Sequence, residues 1–374
     1  MKNIAFAQSS PDMGENRFFD GDAAHDRWLE PFGDFRRELE SAGHRCQTLD
    51  MYAPHEVDVL ITTRYDLRIN AIQRIIRVRP DCRIILWAIE EPVVCGLHEA
   101  EILTQLDCDR ILTWRDDLAD GKKLIWSAIP QPRYLPGRTR AVPFAQRRLI
   151  TAIYSNKSFR HPKELYSKRR EVLKTLVQSG IPVDLYGGGW DNADTVLRSV
   201  WRGTIKDKYE VQRGYRFTLC FENSWDYAGD ITEKPFDSLA AGSIPVYLGA
   251  PNIADYVPKA CFVDFRDFSS VEALAHYLTH MPEAEFDARL QAIEQYMETD
   301  FARHYSGETQ ARILLRELGK MEKEAPPNRL ALPYLIGAIW HCLTGMLRPP
   351  WHRKLASLYL ILKASLLGDR AWRA

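Results

Sequence analysis

Short apolar runs alternate with segments of helical periodicity along the first third of the chain. Apolar runs of about four to eight residues between turn-forming residues predict buried strands. Four such runs predict strands at residues 3–8, 57–63, 82–89 and 110–114. Between them, apolar residues three and four positions apart predict helices at residues 23–43 and 67–78. Pro31 is expected near the start of the first helix or at a kink in it.

The alternation begins again after residues 131–148, a segment rich in proline and arginine that we interpret as an interdomain connection. The predicted strands of this half are residues 148–155, 183–187, 216–223, 243–249 and 260–265. The predicted helices are residues 162–180, 207–215 and 232–242, and further helices that begin at Ser270, Glu283 and Ser306. Strands alternating with helices are typical of parallel α/β sheets, so we expect two Rossmann-like, doubly wound domains that face a cleft.

The C-terminal tail has a different character from the rest of the chain. Two apolar runs occupy residues 330–347 and 355–367, and from Pro326 onward seven basic residues oppose one acidic residue, a net charge of +6. The predicted division is therefore an N-terminal domain at 1–140, a C-terminal domain at 148–324 and an apolar, basic, helical tail at 325–374. The tail fits a membrane span, a core helix or an amphipathic pair on a membrane surface; the third is favoured because apolar faces and positive charge coincide.

Composition limits the remaining possibilities. Hydrophobic residues make up 45% and charged residues 27%, which excludes disorder, collagen and coiled coil as overall descriptions. The net charge of zero gives no indication of a nucleic-acid partner. The seven cysteines form no CxxC pair, which argues against a zinc site or a disulfide framework. Because the N-terminus turns polar too early for a signal peptide, we expect a cytoplasmic protein, peripheral on the inner face of a membrane if its tail binds lipid.

The segment 217–258 carries the most chemical information. A strand brings Glu222 and Asn223 to a loop, and Thr232 is placed to cap a helix whose first turn holds Glu233 and Lys234. The free N–H groups and positive dipole of a helix N-terminus suit a pyrophosphate, and a nearby carboxylate suits sugar hydroxyls. An ordinary helix start with an exposed Glu-Lys pair remains the alternative at this point.

The ordered motifs FENS, ITEK, DSLAAGSIPVYLG and YVP resemble the donor-site signature of the α-1,3-fucosyltransferases, glycosyltransferase family 10. The resemblance covers roughly residues 148–285. It implies a GT-B fold, a GDP-fucose donor, inversion at the anomeric carbon and no required cofactor or metal. It also implies donor-binding roles for Asn223, Glu233, Lys234 and Arg169, with Arg170 as the runner-up to Arg169.

The donor loop departs from the family pattern. The family has an aromatic residue two positions before the threonine of TEK, whereas this chain has Asp230 there. The loop is also about one residue longer and contains Trp225 and Tyr227, either of which could replace the missing aromatic ring. Tyr227 is therefore included among the predicted donor-binding residues, and the identity of the donor sugar remains open.

The resemblance also implies a catalytic base in the N-terminal domain. The family has a glutamate after an apolar strand in an E-x-P setting, which Glu90 matches before Pro92, with Glu91 as the runner-up. Adjacent strand residues point to opposite sides, so only one of the two can face the ligand. Asp116 and Asp117 are the next candidates.

The function expected from the sequence is inverting transfer of L-fucose from GDP-fucose to a glycan hydroxyl, in an α-1,3/4-type linkage. The expected setting is surface polysaccharide or lipopolysaccharide synthesis, with an acceptor that is lipid-linked in one version of the hypothesis. Two alternatives remain: a GT-B enzyme that uses another nucleotide sugar, and a membrane-surface glycan-binding protein without catalysis.

Overall fold

The computed structural model describes residues 1–7, 11–21, 27–65 and 68–325. The chain forms two compact units. The first contains residues 1–130 and the described residues from Tyr305 onward, and the second contains residues 131–304. The predicted tail, residues 325–374, lies outside the described residues apart from Ala325.

The first unit is built on a six-stranded parallel sheet. Its strands are β1 (Asn3–Ala7), β2 (Arg45–Thr48), β3 (Val59–Thr62), β4 (Arg83–Ala88), β5 (Arg110–Thr113) and β6 (Leu124–Trp126). They follow the order β2-β1-β3-β4-β5-β6. The helices α1 (Glu30–Ser41), α2 (Ile69–Val78) and α3 (Ala100–Leu103) accompany it. Strand β4 reads as a continuous apolar run because helices cover both faces of the sheet.

The second unit contains a five-stranded parallel sheet of the order β11-β10-β9-β7-β8. Its strands are β7 (Arg148–Ile153), β8 (Val183–Tyr186), β9 (Tyr215–Phe221), β10 (Ile244–Leu248) and β11 (Val263–Asp264). Its helices are α4 (Tyr166–Gln178), α5 (Thr195–Val200), α6 (Lys208–Gln212), α7 (Glu233–Ala240), α8 (Val271–His280), α9 (Glu283–Thr299) and α10 (Phe301–Tyr305). The central strand β9 ends at the segment that carries the FENS motif.

The last described helix, α11 (Gly307–Met321), belongs to the first unit, whereas the sequence prediction assigned residues up to 324 to the second domain. Its Leu314 and Leu318 are buried in the core cluster beneath α1. Glu317, fully buried, pairs with Arg110 at 3.2 Å. The order of elements along the chain does not reveal this return, which depends on three-dimensional packing.

Residues 131–148 are predicted to connect the two domains, and the first ten of them overlap the predicted first domain at 1–140. The structure assigns the whole segment to the second unit. The buried Arg147 guanidinium donates to the carbonyls of Thr139, Val142 and Gly242. Burial lowers the pKa of Arg147 to about 10. Hydrogen bonds from the buried Arg147 guanidinium to backbone carbonyls therefore attach the connecting segment to the second unit. The proline-rich composition of this segment does not indicate that attachment.

Most other predicted elements agree with the structure within a few residues, but the first helix begins seven residues later than the predicted residue 23. Helix α1 begins at Glu30, so Pro31 lies in its first turn, where its missing N–H is tolerated. Strands β2 and β6 and helices α3, α5 and α10 are not predicted from the sequence, because they are short and weakly patterned. Within the described ranges, no helix has the length and apolar character needed to cross a membrane.

Candidate active site

Glu222 lies at the carboxyl end of β9 and is fully buried. Its carboxylate accepts hydrogen bonds from the Thr232 backbone N–H at 2.9 Å and from the Thr232 hydroxyl at 2.5 Å. It also accepts from the Lys234 ammonium at 3.1 Å. Thr232 occupies the N-cap position of α7 as predicted, but its hydroxyl donates to Glu222 and makes no cap bond to the helix. The buried carboxylate therefore has three hydrogen-bond donors, which offset the cost of removing it from water.

Lys234 lies in the first turn of α7, and its side chain is 16% exposed. Its Nζ lies 2.9 Å from the Thr232 hydroxyl oxygen and 3.8 Å from the Glu233 carboxylate. The ammonium group is thus fixed beside the N-terminus of a helix, where the backbone dipole adds positive potential. Such an arrangement attracts phosphate oxygens without a costly rearrangement of the lysine side chain.

Gly249, at the end of β10, makes room for this network. A Cβ atom at this position would lie 2.4 Å from Glu222 Cγ and 2.6 Å from the Tyr247 hydroxyl oxygen. That hydroxyl is itself occupied, since it donates to the Asp230 carbonyl at 3.0 Å and accepts from the Ala250 N–H at 3.0 Å. The glycine of the YLG motif is therefore explained by the close approach of the buried carboxylate.

Glu233 faces outward from the same helix turn, with its side chain 41% exposed. Partial burial would raise the pKa of this carboxyl, but the ammonium groups of Lys234 and Lys208 outweigh that effect and hold its pKa at about 2. Lys208, on α6, lies 3.8 Å from Glu233 and 2.9 Å from Asp237. Glu233 is therefore ionised at neutral pH and can accept hydrogen bonds from ligand hydroxyls.

Arg169, on α4, is 5% exposed and reaches the carboxyl end of β9. It donates to the Phe221 carbonyl at 2.7 Å and to Asn223 Oδ1 at 3.0 Å. Its guanidinium lies between the rings of Tyr154 and Tyr166, 4.5 and 4.7 Å from their centroids. Within the described residues its Nη1 makes no hydrogen bond. Arg169 thus orients Asn223 and keeps donor capacity at the strand end.

Arg170, the runner-up to Arg169, has a different role. Its Nη1 donates to the Lys157 carbonyl at 2.8 Å, which fixes the loop that follows β7. Sequence alone could not separate two adjacent arginines, but the helix turn directs Arg169 to β9.

The donor loop separates its two aromatic side chains. Tyr227 is 5% exposed, and the Lys163 ammonium lies 4.4 Å from its ring centroid. Trp225 is 46% exposed. Asp230 is fully buried and accepts from the Ser224 hydroxyl at 2.6 Å. The open aromatic surface of this loop belongs to Trp225, whereas the predicted Tyr227 packs inside the loop.

The predicted base lies in the first unit, just beyond β4. Glu90 is half-buried, and within the described residues its carboxylate makes no hydrogen bond or ion pair. Glu91 is 2% exposed, so it is far less accessible to a ligand. Of the reserve candidates, Asp117 is paired with Arg115 at 2.6 Å. Accessibility therefore favours Glu90 over its neighbour.

Residues 144–296 match the model of the family described as glycosyltransferase family 10 (fucosyltransferase), C-terminal. Every donor-site residue described above lies within that range. The second unit therefore matches this family model over most of its length.

Curated relatives show a similarity to the same family. The chain is 38% identical over 86 residues to the alpha-(1,3)-fucosyltransferase FucT of Helicobacter pylori, covering 23% of this chain and 18% of the relative. It is 34% identical over 163 residues to alpha-(1,3)-fucosyltransferase 7 of Bos taurus, covering 42% of each. The chain therefore spans less than half the length of these relatives.

Solved structures extend the likeness to both units. A crystal structure of an alpha1,3-fucosyltransferase with GDP-fucose matches with a TM-score of 0.55 and 16% identity, covering 88% of this chain and 93% of that one. Anabaena HepE in complex with UDP and glucose matches with a TM-score of 0.55 and 10% identity, covering 86% and 100%. At these identities the likeness establishes the fold, which confirms the predicted GT-B architecture.

The second unit contains three contributors to the candidate site that the sequence analysis does not identify as site residues. They are the carboxylate of Glu222, the second lysine, Lys208, and the close-packed Gly249. Glu222 follows an apolar strand within FEN, so its position was visible, but nothing in the sequence showed its pairing with Lys234. Lys208 lies on a different helix, and only the fold brings it near Glu233. Among the described residues, no cluster of three or more potential metal ligands occurs.

Proposed function

We propose that this protein is an inverting fucosyltransferase that moves L-fucose from GDP-fucose to a hydroxyl of a glycan, in an α-1,3/4-type linkage. The observation that carries the proposal is the Glu222–Thr232–Lys234 network at the N-terminus of α7, within the range that matches the family 10 model. A partly buried, prearranged cation beside a helix N-terminus suits the diphosphate of a nucleotide sugar.

The side chains that bind GDP-fucose have separate roles in this proposal. Lys234 and Arg169 bind the pyrophosphate and stabilise the negative charge that grows on departing GDP. Asn223, oriented by Arg169, and ionised Glu233 accept hydrogen bonds from donor hydroxyls. The exposed ring of Trp225 offers a flat surface to the base or the sugar.

Glu90 completes the proposed reaction as general base. The acceptor oxygen attacks the anomeric carbon of the fucosyl group from the face opposite the diphosphate. As that C–O bond forms, the bond from the anomeric carbon to the phosphate oxygen breaks, and its electron pair leaves with GDP. The acceptor proton passes to Glu90, whose accessible carboxylate suits that role.

Nucleotide selectivity tests the donor assignment. GDP and GDP-fucose should raise the melting temperature, whereas UDP and UDP-glucose should not. A ligand at 100 times its dissociation constant adds about 2.7 kcal/mol to the free energy of unfolding. Slow hydrolysis of GDP-fucose without acceptor is also expected. Binding without hydrolysis or transfer would favour the non-catalytic glycan-binding alternative.

Use of another nucleotide sugar is the second candidate, and Asp230 favours it. This residue replaces the family's aromatic and is buried against Ser224. A GT-B structure that contains UDP-glucose matches this chain with a TM-score of 0.55. A larger thermal shift with UDP-glucose than with GDP would select this candidate.

We also propose a cytoplasmic enzyme that acts at the membrane surface on lipid-linked acceptors in surface polysaccharide or lipopolysaccharide synthesis. The apolar tail with its charge of +6 supports this setting. Each basic residue near an anionic bilayer contributes about 1 kcal/mol, screened by salt. A cut after Ala325 keeps the hydrogen bond from Arg83 to its carbonyl. The truncated protein should remain folded and bind anionic vesicles more weakly; unfolding would instead identify the tail as a core element.

A further inference from the structure

The segment that follows β4 is fixed by hydrogen bonds to three consecutive carbonyls. The Ile89 carbonyl accepts from the Trp114 indole N–H at 3.2 Å. The Glu90 carbonyl lies 2.7 Å from His98 Nδ1. The Glu91 carbonyl accepts from the N–H groups of residues 94 and 95 at 2.9 and 2.8 Å. One donor, Trp114, follows β5, and the others lie within the eight residues that follow Glu90, so the backbone on both sides of Glu90 is held.

These bonds begin where the sheet ladder ends. The last paired residues of β4 and β5 are Ala88 and Thr113, so the carbonyls beyond them have no strand partner in the ladder. Water usually satisfies carbonyls at an exposed strand end. Here two side chains take that place, and both are almost completely buried: Trp114 is 3% exposed and His98 is 2% exposed.

The bond from His98 also determines which of its ring nitrogens carries a proton. A carbonyl oxygen can only accept, so Nδ1 must be the protonated nitrogen in this contact. The imidazole is therefore a fixed donor to the backbone of the very residue proposed as base. Its buried position prevents it from following movements of the chain at the surface.

The side chain of Glu90 contrasts with this fixed backbone. Its carboxylate makes no hydrogen bond or ion pair with the described part of the chain. We propose that His98 and Trp114 are positioning residues that hold Glu90 for proton abstraction while leaving its carboxylate available. The inference rests on the proposed function, since it assumes that Glu90 is the base. A displacement of about 1 Å at a reacting group can cost roughly 10²-fold in rate.

Removal and restoration of the His98 donor test this role. His98→Leu removes the N–H, whereas His98→Asn places an amide N–H close to the position of Nδ1. Single-turnover release of GDP from GDP-fucose, with water as acceptor, provides a probe that needs no identified glycan. We expect His98→Leu to slow this step about 10- to 100-fold, with GDP affinity unchanged within twofold, and His98→Asn to recover most of the rate. Trp114→Phe should give about a tenfold loss.

Combination with Glu90→Gln separates positioning from general destabilisation. If His98 acts through Glu90, His98→Leu should cause no further loss in a Glu90→Gln background. An equal loss in both backgrounds, or a lack of recovery with Asn in a folded protein, would overturn the inference. His55→Leu, at an exposed histidine of the same unit, serves as the control and should leave the rate unchanged.

The same experiment distinguishes this inference from the proposed function. Unchanged hydrolysis in Glu90→Gln would remove the base itself, and the positioning role with it. A second outcome is slow hydrolysis in Glu90→Gln with a normal rate in folded His98→Leu and Trp114→Phe. That result would support Glu90 as the base and overturn only the positioning role of His98 and Trp114.

Discussion

The carboxyl ends of the two sheets prepare their charged groups in opposite ways. In the second unit, Glu222 and Lys234 are paired with each other and with Thr232, and Arg169 is bonded to the end of β9. In the first unit, the backbone at Glu90 is bonded on both sides, but its carboxylate has no partner among the described residues. In the second unit the charged side chains themselves are held by hydrogen bonds. In the first unit hydrogen bonds hold the backbone at Glu90 but not its carboxylate.

This difference corresponds to the two tasks of the proposed transferase. A group that binds an anion benefits from being held in place, because reorganisation during the reaction lowers its electrostatic effect. A group that accepts a proton must keep its lone pairs accessible while remaining close to its target. The comparison therefore predicts that changes at Glu90, in the first unit, affect catalysis alone. Changes at Lys234, in the second unit, should affect catalysis, binding and stability together.

The largest effect is expected from Glu90→Gln. This change keeps the shape of the side chain but removes the base, so transfer or hydrolysis should fall by roughly 10²- to 10⁴-fold. GDP affinity should hold, because Glu90 lies in the first unit and the proposed donor-binding residues lie in the second. Single-turnover rates and calorimetric titration with GDP measure the two quantities.

Glu91→Gln is the matched control for this prediction. Glu91 is 2% exposed, so its replacement should have much less effect on the rate, whatever it does to stability. An inactive Glu91→Gln beside an active Glu90→Gln would reverse the assignment of the base. Full activity in both variants would exclude both glutamates as the base and leave Asp116 and Asp117 as the next candidates.

Lys234→Met should have the next largest effect. Loss of the ammonium should slow transfer by about 10²- to 10³-fold, as for other groups that stabilise a developing anion. It also leaves buried Glu222 without its cation. Breaking a buried pair costs about 3–5 kcal/mol, and we expect the lower end because Thr232 still donates two hydrogen bonds. Single-turnover rates and urea denaturation test the two effects.

The double variant Glu222→Gln/Lys234→Met distinguishes binding from folding. It removes both charges, so much of the stability should return while GDP affinity and turnover stay low. Near-native turnover in the folded double variant would show that the lysine acts only as the structural partner of Glu222. That result would remove Lys234 from the pyrophosphate site.

Features that depend on residues close together in the sequence could be predicted, whereas features that depend on residues far apart in the chain could not. Strands such as β4 and the α7 start were predictable, because apolar runs and Thr-Glu-Lys are local signals. The attachment of α11 to the first unit was not predictable, since Gln310 and Glu317 find their partners Ser127 and Arg110 far away in the chain.

The candidate site shows the same division. Motif resemblance located Asn223, Glu233 and Lys234, which lie near one another in the sequence. It could not show that Tyr227 is buried and Trp225 exposed, because both fit an aromatic position and only packing against Lys163 separates them. Nor could it find His98, a histidine without a motif whose partner is a backbone carbonyl.

The smallest expected effect concerns Glu233 and the pH dependence of stability. Its pKa falls from 4.5 to about 2 on folding, since Lys234 and Lys208 outweigh the effect of partial burial. Between these values the unfolded state binds more protons, so stability rises with pH there. The contribution is complete above pH 4.5 and is lost as the pH falls towards 2. Because the side chain is 41% exposed, solvent and salt screen it strongly.

Glu233→Gln should therefore lower the melting temperature slightly at pH 6, and the difference should disappear as the pH falls through this window. The difference should also shrink in about 0.5 M salt, where the screening length is only a few ångströms. Lys208→Met is the control, since it removes one of the two cations and should weaken the effect of Glu233→Gln. A melting difference that is independent of pH would show that Glu233 contributes through packing or helix capping. The electrostatic stability of the site at the N-terminus of α7 would then come from the Glu222–Lys234 pair, without a contribution from the Glu233 carboxylate.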